Sequence, residues 1–439
     1  MKASYYNVLV ETGIDPNDGN AAAVLFNTRT STLAELDKGE LAAYRGIEKL
    51  CDDDPIAKQL AEQGFVLKDP ESEANLLRYE FEKYRFDDSV FELYVAPTLS
   101  CNFGCPYCFE RKRPGAMTSE VQDALVEFVG EQYRERPYKT LKIIWYGGEP
   151  LLRMDVIESL SGRFIAFCEK RGIEYIASVI SNTSLATPEV QDRLIACGVW
   201  SVMSTIDGIG EIHEARRVNS GEAPTYETIR SNVEAMAEKG ICVDFRCILE
   251  KGNVESCLEL TRSMAHRDNL RVRVKPLIDF GDANGKNMAA AGLRPLSREE
   301  FAQAYLEVFL QGLPDAADYE RELAPLRLNC SACMDRGYAI DERGNVSNCG
   351  CTIGDDSKTL FNICEPADSR TVNWDLVSWY GSKNPLDMPY CRTCRVLPLC
   401  QGGCLRVSDP EPFHNCNPLR YCIEDMVRGY YAALLKEAR

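Results

Sequence analysis

Residues 91–109 read FELYVAPTLSCNFGCPYCF. The first eight form an apolar and aromatic run that reads as a buried strand. The loop that follows carries Cys101, Cys105 and Cys108, spaced CxxxCxxC, with Tyr107 and Phe109 flanking the last cysteine. A structural zinc site closes with four protein ligands, and this loop offers three. The nearest histidine in sequence is His213, more than a hundred residues away. Three thiolates suit an iron–sulfur cluster in which one iron keeps an open position, the same logic that separates catalytic from structural zinc. Zinc completed by a distant ligand, and a chance grouping of buried cysteines, are the competing readings.

Working outward, further strand-like runs stand at 141–147, 175–181, 200–207, 242–249 and 271–277. Helical patterns separate them at 118–134, 153–171, 187–197, 226–239 and 253–266. Strand–helix alternation predicts an α/β fold with a parallel sheet of βαβ units. Six units are fewer than a closed barrel has, so right-handed winding gives a partial (β/α)6 TIM-like barrel. A doubly wound sheet is the main alternative, but no GxGxxG follows the first strand. In parallel barrels the chemistry collects in loops at the C-terminal strand ends, where the cysteine loop lies.

The 439 residues hold 20 cysteines but only three histidines, His213, His266 and His414. Thiolates must therefore supply most metal ligands, which favours zinc or iron–sulfur clusters. A net charge of −17 repels duplex nucleic acid, so no nucleic-acid partner is expected. No apolar run is long enough to span a bilayer, and the start MKASYYNVLVETG lacks a signal-peptide cleavage site. No membrane association is expected, and the expected location is the cytoplasm, where a chain of this length is not a disulfide scaffold.

Residues 1–88 read as a small α+β domain. YYNVLV and AAAVLF form a hairpin around GIDPNDGN, helices follow near 34–50, 55–64 and 70–84, and Cys51 reads as a small core residue. Residues 89–320 are the expected barrel domain. Residues 321–439 carry eleven cysteines, little periodicity and a C-terminal helix beginning at YCIEDMV. That composition suits a metal-stapled module.

Four motifs in order, CNFGCPYCF, WYGGEPLL, ISNTSL and STIDG, each at a strand end, resemble the radical S-adenosylmethionine (AdoMet) superfamily. The resemblance implies a [4Fe–4S] cluster on Cys101, Cys105 and Cys108, with AdoMet chelating the open iron. One-electron cleavage of AdoMet then supplies a hydrogen-abstracting 5′-deoxyadenosyl radical. It further implies Phe109 near the adenine, and Gly147, Gly148 and Glu149 at the methionine amino group. Asn182, Ser204 and Arg246 are implied at the ribose or carboxylate. SNT departs from the commoner form ending in Gly. Asp207 is a catalytic candidate by position alone.

The C-terminal cysteines, with Gly344 between Cys333 and Cys349 and then CRTCRVLPLCQGGC, resemble the SPASM extension of radical AdoMet enzymes. That resemblance implies two auxiliary [4Fe–4S] clusters, three clusters in all. One is held by Cys330, Cys333, Cys349 and Cys404, the other by Cys391, Cys394, Cys400 and Cys416. Cys422 competes with Cys416 but falls inside a helical pattern. Two four-thiolate zinc sites fit the same spacings. Of the remaining cysteines, most are expected to be inert buried residues, with Cys351 the exception.

Enzymes with this architecture mostly modify peptides. The chain resembles maturases of ribosomally made precursor peptides, especially those forming cysteine thioethers. Residues 1–88 then either grip the precursor's leader as an added strand or form a structural cap. A small donor such as a flavodoxin or ferredoxin is the implied electron source. The alternatives are oxidation of a Ser or Cys residue as in anaerobic sulfatase maturases, a carbon–carbon peptide cross-link, and a non-enzymatic multi-cluster electron carrier.

Overall fold

The computed structural model describes residues 1–439 except 13–20, 222, 265, 266, 281, 282, 314, 329, 405, 407–415 and 439. The GIDPNDGN turn, His266 and His414 lie outside the described residues. The chain divides into two compact units.

One unit comprises residues 1–85, 297–329 and 383–439. Strand β1 (Lys2–Ala3) pairs antiparallel with β5 (Val66–Leu67). Strands β2 (Asn7–Glu11), β3 (Ala23–Asn27) and β4 (Leu33–Leu36) form an antiparallel sheet in chain order, so the expected hairpin strands pair. The helix expected over 34–50 begins later. Leu33–Leu36 extends as a strand, and Asp37 then caps helix Lys38–Arg45 in a reciprocal capping box with Glu40. Helices Pro55–Glu62 and Pro70–Arg85 complete the segment. Leu25, Leu36, Ile47, Leu60 and Phe65 fill its core. Cys51 is exposed and not in that core, because it sits in the acidic linker before the Asp54 cap. Helix Leu419–Glu437 packs on β2, and its Tyr430 ring meets Phe26 edge-on at 6.4 Å.

The other unit comprises residues 86–296 and 330–382. Its six parallel strands are β6 (Val90–Val95), β7 (Thr140–Trp145), β8 (Glu174–Ile180), β9 (Val199–Thr205), β10 (Cys242–Leu249) and β11 (Leu270–Pro276). They lie in strictly sequential order. A doubly wound sheet reverses its strand order at a switch point; the run β6 to β11 does not. The fold is therefore the singly wound partial barrel. Thr118 and Thr187 accept backbone N–H groups at the starts of helices Ser119–Glu135 and Pro188–Ala196. The sheet also extends where sequence periodicity gave no strand. β12 (Gly337–Ile340) pairs parallel with β6, and β13 (Asn345–Ser347) and β14 (Phe361–Asn362) follow antiparallel.

Cys247 on β10 and Cys257 on helix Val254–Met264 are both fully buried and joined by a disulfide. Both are buried, as expected for most of the remaining cysteines, but paired; strand and helix pack with the two Cα atoms 6.5 Å apart. Cys364 is exposed rather than buried. Among the described residues no helix is long and apolar enough to cross a membrane.

Candidate active site

A cavity of about 400 Å³ opens at the C-terminal ends of the parallel strands. That volume lies in the range of small-molecule sites, roughly 300–1,000 Å³. Cys101, Cys105 and Cys108 all line it. Their loop is fixed by backbone bonds: Gly104 N donates to Val218 O at 2.6 Å and Ser220 N to Asn102 O at 2.8 Å. Burial raises the Cys101 thiol pKa and pushes Cys108 up to about 12. Thiols raised in this way ionise together only against strong positive charge, which a bound iron cluster would supply. The donor set, three thiols lining one cavity, fits a cluster with one accessible corner. Among the described residues no three Cys, His, Asp or Glu side chains are arranged to hold a single metal ion.

Gly147 and Gly148 form the next wall. A Cβ on Gly148 would stand 2.2 Å from Ser100 O, and one on Gly147, at φ +114°, 2.4 Å from Thr98 O. The paired glycines thus let this loop touch the cysteine loop, with Gly148 N donating to Thr98 O at 3.1 Å. Glu149 does not reach the cavity wall. Its carboxylate is fully buried and accepts from Ser181 Oγ and Asn182 N at 2.7 Å and from Leu151 N at 3.0 Å. It ties the glycine loop to the end of β8.

Phe109, Asn182 and Arg246 line the cavity. Phe109 meets Phe280 edge-on at 5.3 Å. Asn182 Nδ2 donates to Asn102 Oδ1 at 2.8 Å, joining β8 to the cysteine loop. Ser204 is fully buried away from the cavity, 2.7 Å from the Thr183 hydroxyl. That bond explains the SNT variant. Thr183 adopts φ +57°, the left-handed conformation that suits glycine, and its side chain is held there by Ser204.

Asp207 is also fully buried and off the cavity wall. Tyr107 Oη donates to its Oδ2 and Ile248 N to its Oδ1. Arg217 Nη1 donates to Tyr107 Oη at 2.8 Å. Burial raises the carboxyl's pKa against the pull of Arg217. Asp207 therefore orients Tyr107 and Arg217, both of which line the cavity. Tyr107 stood inside the cysteine motif and was read only as its neighbour. Arg217 follows the six-residue helix Glu211–Arg216, too short to leave a periodic signal.

The second cysteine set divides. Cys330, Cys333 and Cys349 belong to the unit with the barrel, whereas Cys404 belongs to the other unit. Cys333 precedes β12 and Cys349 follows β13. A hydrogen bond from Cys333 lowers the Cys330 thiol to about 7. Cys391, Cys394, Cys400 and Cys416 share the other unit, and each of the other three adds to the charge felt by Cys391. Cys422 points elsewhere, its Sγ 3.5 Å from Pro418 O at a kink in the C-terminal helix.

A sequence model of the Radical SAM superfamily matches residues 95–264. The chain is 26% identical over 390 residues to the radical SAM cyclopropyl synthase TigE of Paramaledivibacter caminithermalis, covering 80% of this chain and 76% of the relative. It is 21% identical to the cysteine-type anaerobic sulfatase-maturating enzyme of Clostridium novyi, over 76% of this chain and 92% of the relative. The solved structure of native anSMEcpe with bound AdoMet and Cp18Cys peptide superposes with a TM-score of 0.57 at 16% identity, over 79% of this chain and 97% of that one. Residues 95–264 thus match the radical SAM superfamily over a sequentially wound sheet with three thiols in the cavity at its strand ends; enzymes of that superfamily use a [4Fe–4S] cluster and AdoMet.

Proposed function

We propose that the chain is a SPASM-type radical SAM maturase of a ribosomally made precursor peptide, and that it installs a cysteine thioether cross-link. The observation that carries the reading is the second, separate set of thiols, Cys391, Cys394, Cys400 and Cys416, in one unit with the β2–β3–β4 sheet. A radical initiator alone has no use for it. Two auxiliary clusters on the C-terminal cysteines would accept the surplus electron or bind the substrate thiolate. In the cavity, Arg246, Asn182 and the backbone of Gly147 and Gly148 would hold AdoMet, with Phe109 beside its adenine. Among the described residues strand β4 pairs only with β3, and its outer edge would let a leader segment join as a strand. A flavodoxin or ferredoxin would supply the electron, and the cytoplasm is the compartment whose reducing conditions keep cluster-ligating thiols reduced.

The test is incubation of enzyme, AdoMet and reductant with cysteine-containing precursor peptides, read by mass spectrometry. Loss of two hydrogens per link with one thiol blocked to alkylation is the expected result. An aldehyde product supports the second reading, oxidation of a Ser or Cys residue, which the similarity to a sulfatase-maturating enzyme over 92% of its length favours. A carbon–carbon link sinks the thioether reading and aligns the chain with its cyclopropyl-forming relative.

A further inference from the structure

The loop that carries the three cavity cysteines does not end at Phe109. It runs on through Glu110, Arg111, Lys112 and Arg113 before turning into helix Ser119–Glu135. Arg113 points away from the cavity into the turn between β12 and β13. Its Nε donates to Glu342 Oε1 at 2.6 Å, its Nη2 to Asp341 Oδ2 at 2.7 Å and Glu342 Oε2 at 3.3 Å, and its Nη1 to Gly354 O at 3.2 Å. Both carboxylates are almost wholly buried, at 2% and 4% exposure. Arg111 adds an ion pair to Asp355 at 2.8 Å. Back along the loop, Ser100 Oγ donates to Arg113 O at 3.2 Å, so the guanidinium's anchor reaches the residue before Cys101.

The two carboxylates have different duties. Asp341 also accepts from the N–H groups of Arg343 and Asn345 at 2.9 Å and thereby builds the turn itself. Glu342 offers both oxygens to Arg113. A planar guanidinium that makes four bonds fixes orientation as well as distance, which a lysine ammonium does not.

We propose that Arg113 is a positioning residue: its clamp on Asp341, Glu342 and Gly354 O sets where the cysteine loop presents its thiols to the cavity. The hairpin it grips is flanked by Cys333 and Cys349, so the same clamp fixes the first cluster's loop to the strands that carry these auxiliary ligands. This last consequence rests on the auxiliary-cluster assignment; the positioning of the first cluster's loop does not.

The test uses the anaerobically reconstituted full chain and its Arg113→Gln, Arg113→Lys and Glu342→Gln variants. Four readouts are taken: iron per chain, thermal midpoint, the electron paramagnetic resonance spectrum of the reduced protein before and after AdoMet, and the AdoMet cleavage rate. Arg113→Gln is expected to keep its iron, lose the AdoMet-induced spectral change and cleave at least tenfold more slowly, since a displacement of roughly 1 Å costs about a hundredfold. Arg113→Lys recovers part of both signals, and Glu342→Gln shifts both in the same direction by less. Wild-type spectra with cleavage within twofold in Arg113→Gln overturn the proposal. So does a loss that merely follows iron content. If Arg113→Gln does not fold, Glu342→Gln decides by the same criteria. Wild-type protein with iron for the first cluster alone refutes the auxiliary assignment without touching the clamp.

Discussion

Gly148→Ala perturbs the site without altering any charge or donor. The added methyl would stand 2.2 Å from Ser100 O, 2.6 Å from Leu99 O and 2.7 Å from the Leu99 carbonyl carbon. Ordinary contact begins at 3.4 Å, so a gap of about 1.2 Å (3.4 − 2.2) must open. All three obstacles are backbone, so no rotamer change relieves them. Either the glycine loop or the segment just before Cys101 must move, and both walls of the cavity belong to those segments. Overpacking of this kind costs about 1–3 kcal/mol, and contact with rigid backbone puts the variant near the upper figure. A displacement of roughly 1 Å lowers the rate about a hundredfold. The assay is urea unfolding together with chromatographic measurement of 5′-deoxyadenosine from the reduced, reconstituted variant. Gly162→Ala is the control. It lies exposed in helix Met154–Glu169 with nothing within 4 Å of the new methyl, and gains about 0.8 kcal/mol from helix propensity. A Gly148→Ala enzyme with wild-type stability and cleavage would refute the close-approach argument.

Asp207→Asn is expected to lower stability and AdoMet cleavage together, by about 3 kcal/mol in the first, because it removes the buried charge facing Arg217 and Tyr107. Normal stability with cleavage abolished would instead mark Asp207 as a catalytic acid or base. Burial, aided by Arg217, lowers the His213 pKa from 6.5 to about 3. The unfolded chain then takes up a proton that the fold excludes, so stability is complete above pH 6.5 and falls by about 1.4 kcal/mol per unit below it, until pH nears 3. Urea titrations at pH 7, 6 and 5 should show that extra slope in the wild type and not in His213→Gln; equal slopes contradict it. Cys416→Ser should lose the iron of one auxiliary cluster while Cys422→Ser keeps it, as measured by iron per chain; the reverse pattern reassigns the ligand.

The six barrel strands were legible because each is a short apolar run separated from the next by a helix-period segment. The register was not read from the sequence: β6 and β7 pair residue for residue from Val90 and Thr140, whereas β8 and β9 carry a shift between Ala177 and Ser178. The three strands β12–β14 were not legible. They are two to four residues long, below any periodicity, and owe their existence to the free edge of β6. In the site, residue type at fixed spacing identified the thiols and the glycine pair. It could not separate side chains that face the cavity from those that support its walls. Glu149, Ser204 and Asp207 occupy the expected strand ends but turn inward to bond backbone or neighbouring hydroxyls. Their orientation depends on one residue of register and on partners such as Thr183 and Tyr107, which only the folded chain brings together. Arg113 and Arg217 carried no signal, because their partners are 228 and 110 residues away in sequence.

The central claim is that Cys101, Cys105 and Cys108 hold the cluster on which AdoMet is cleaved. Its most direct test is the protein with all three replaced by alanine, reconstituted anaerobically beside the wild type and assayed for iron and for 5′-deoxyadenosine. The account predicts the loss of one cluster's iron, retention of the auxiliary clusters and no detectable cleavage. Cleavage that persists in the triple variant would contradict it.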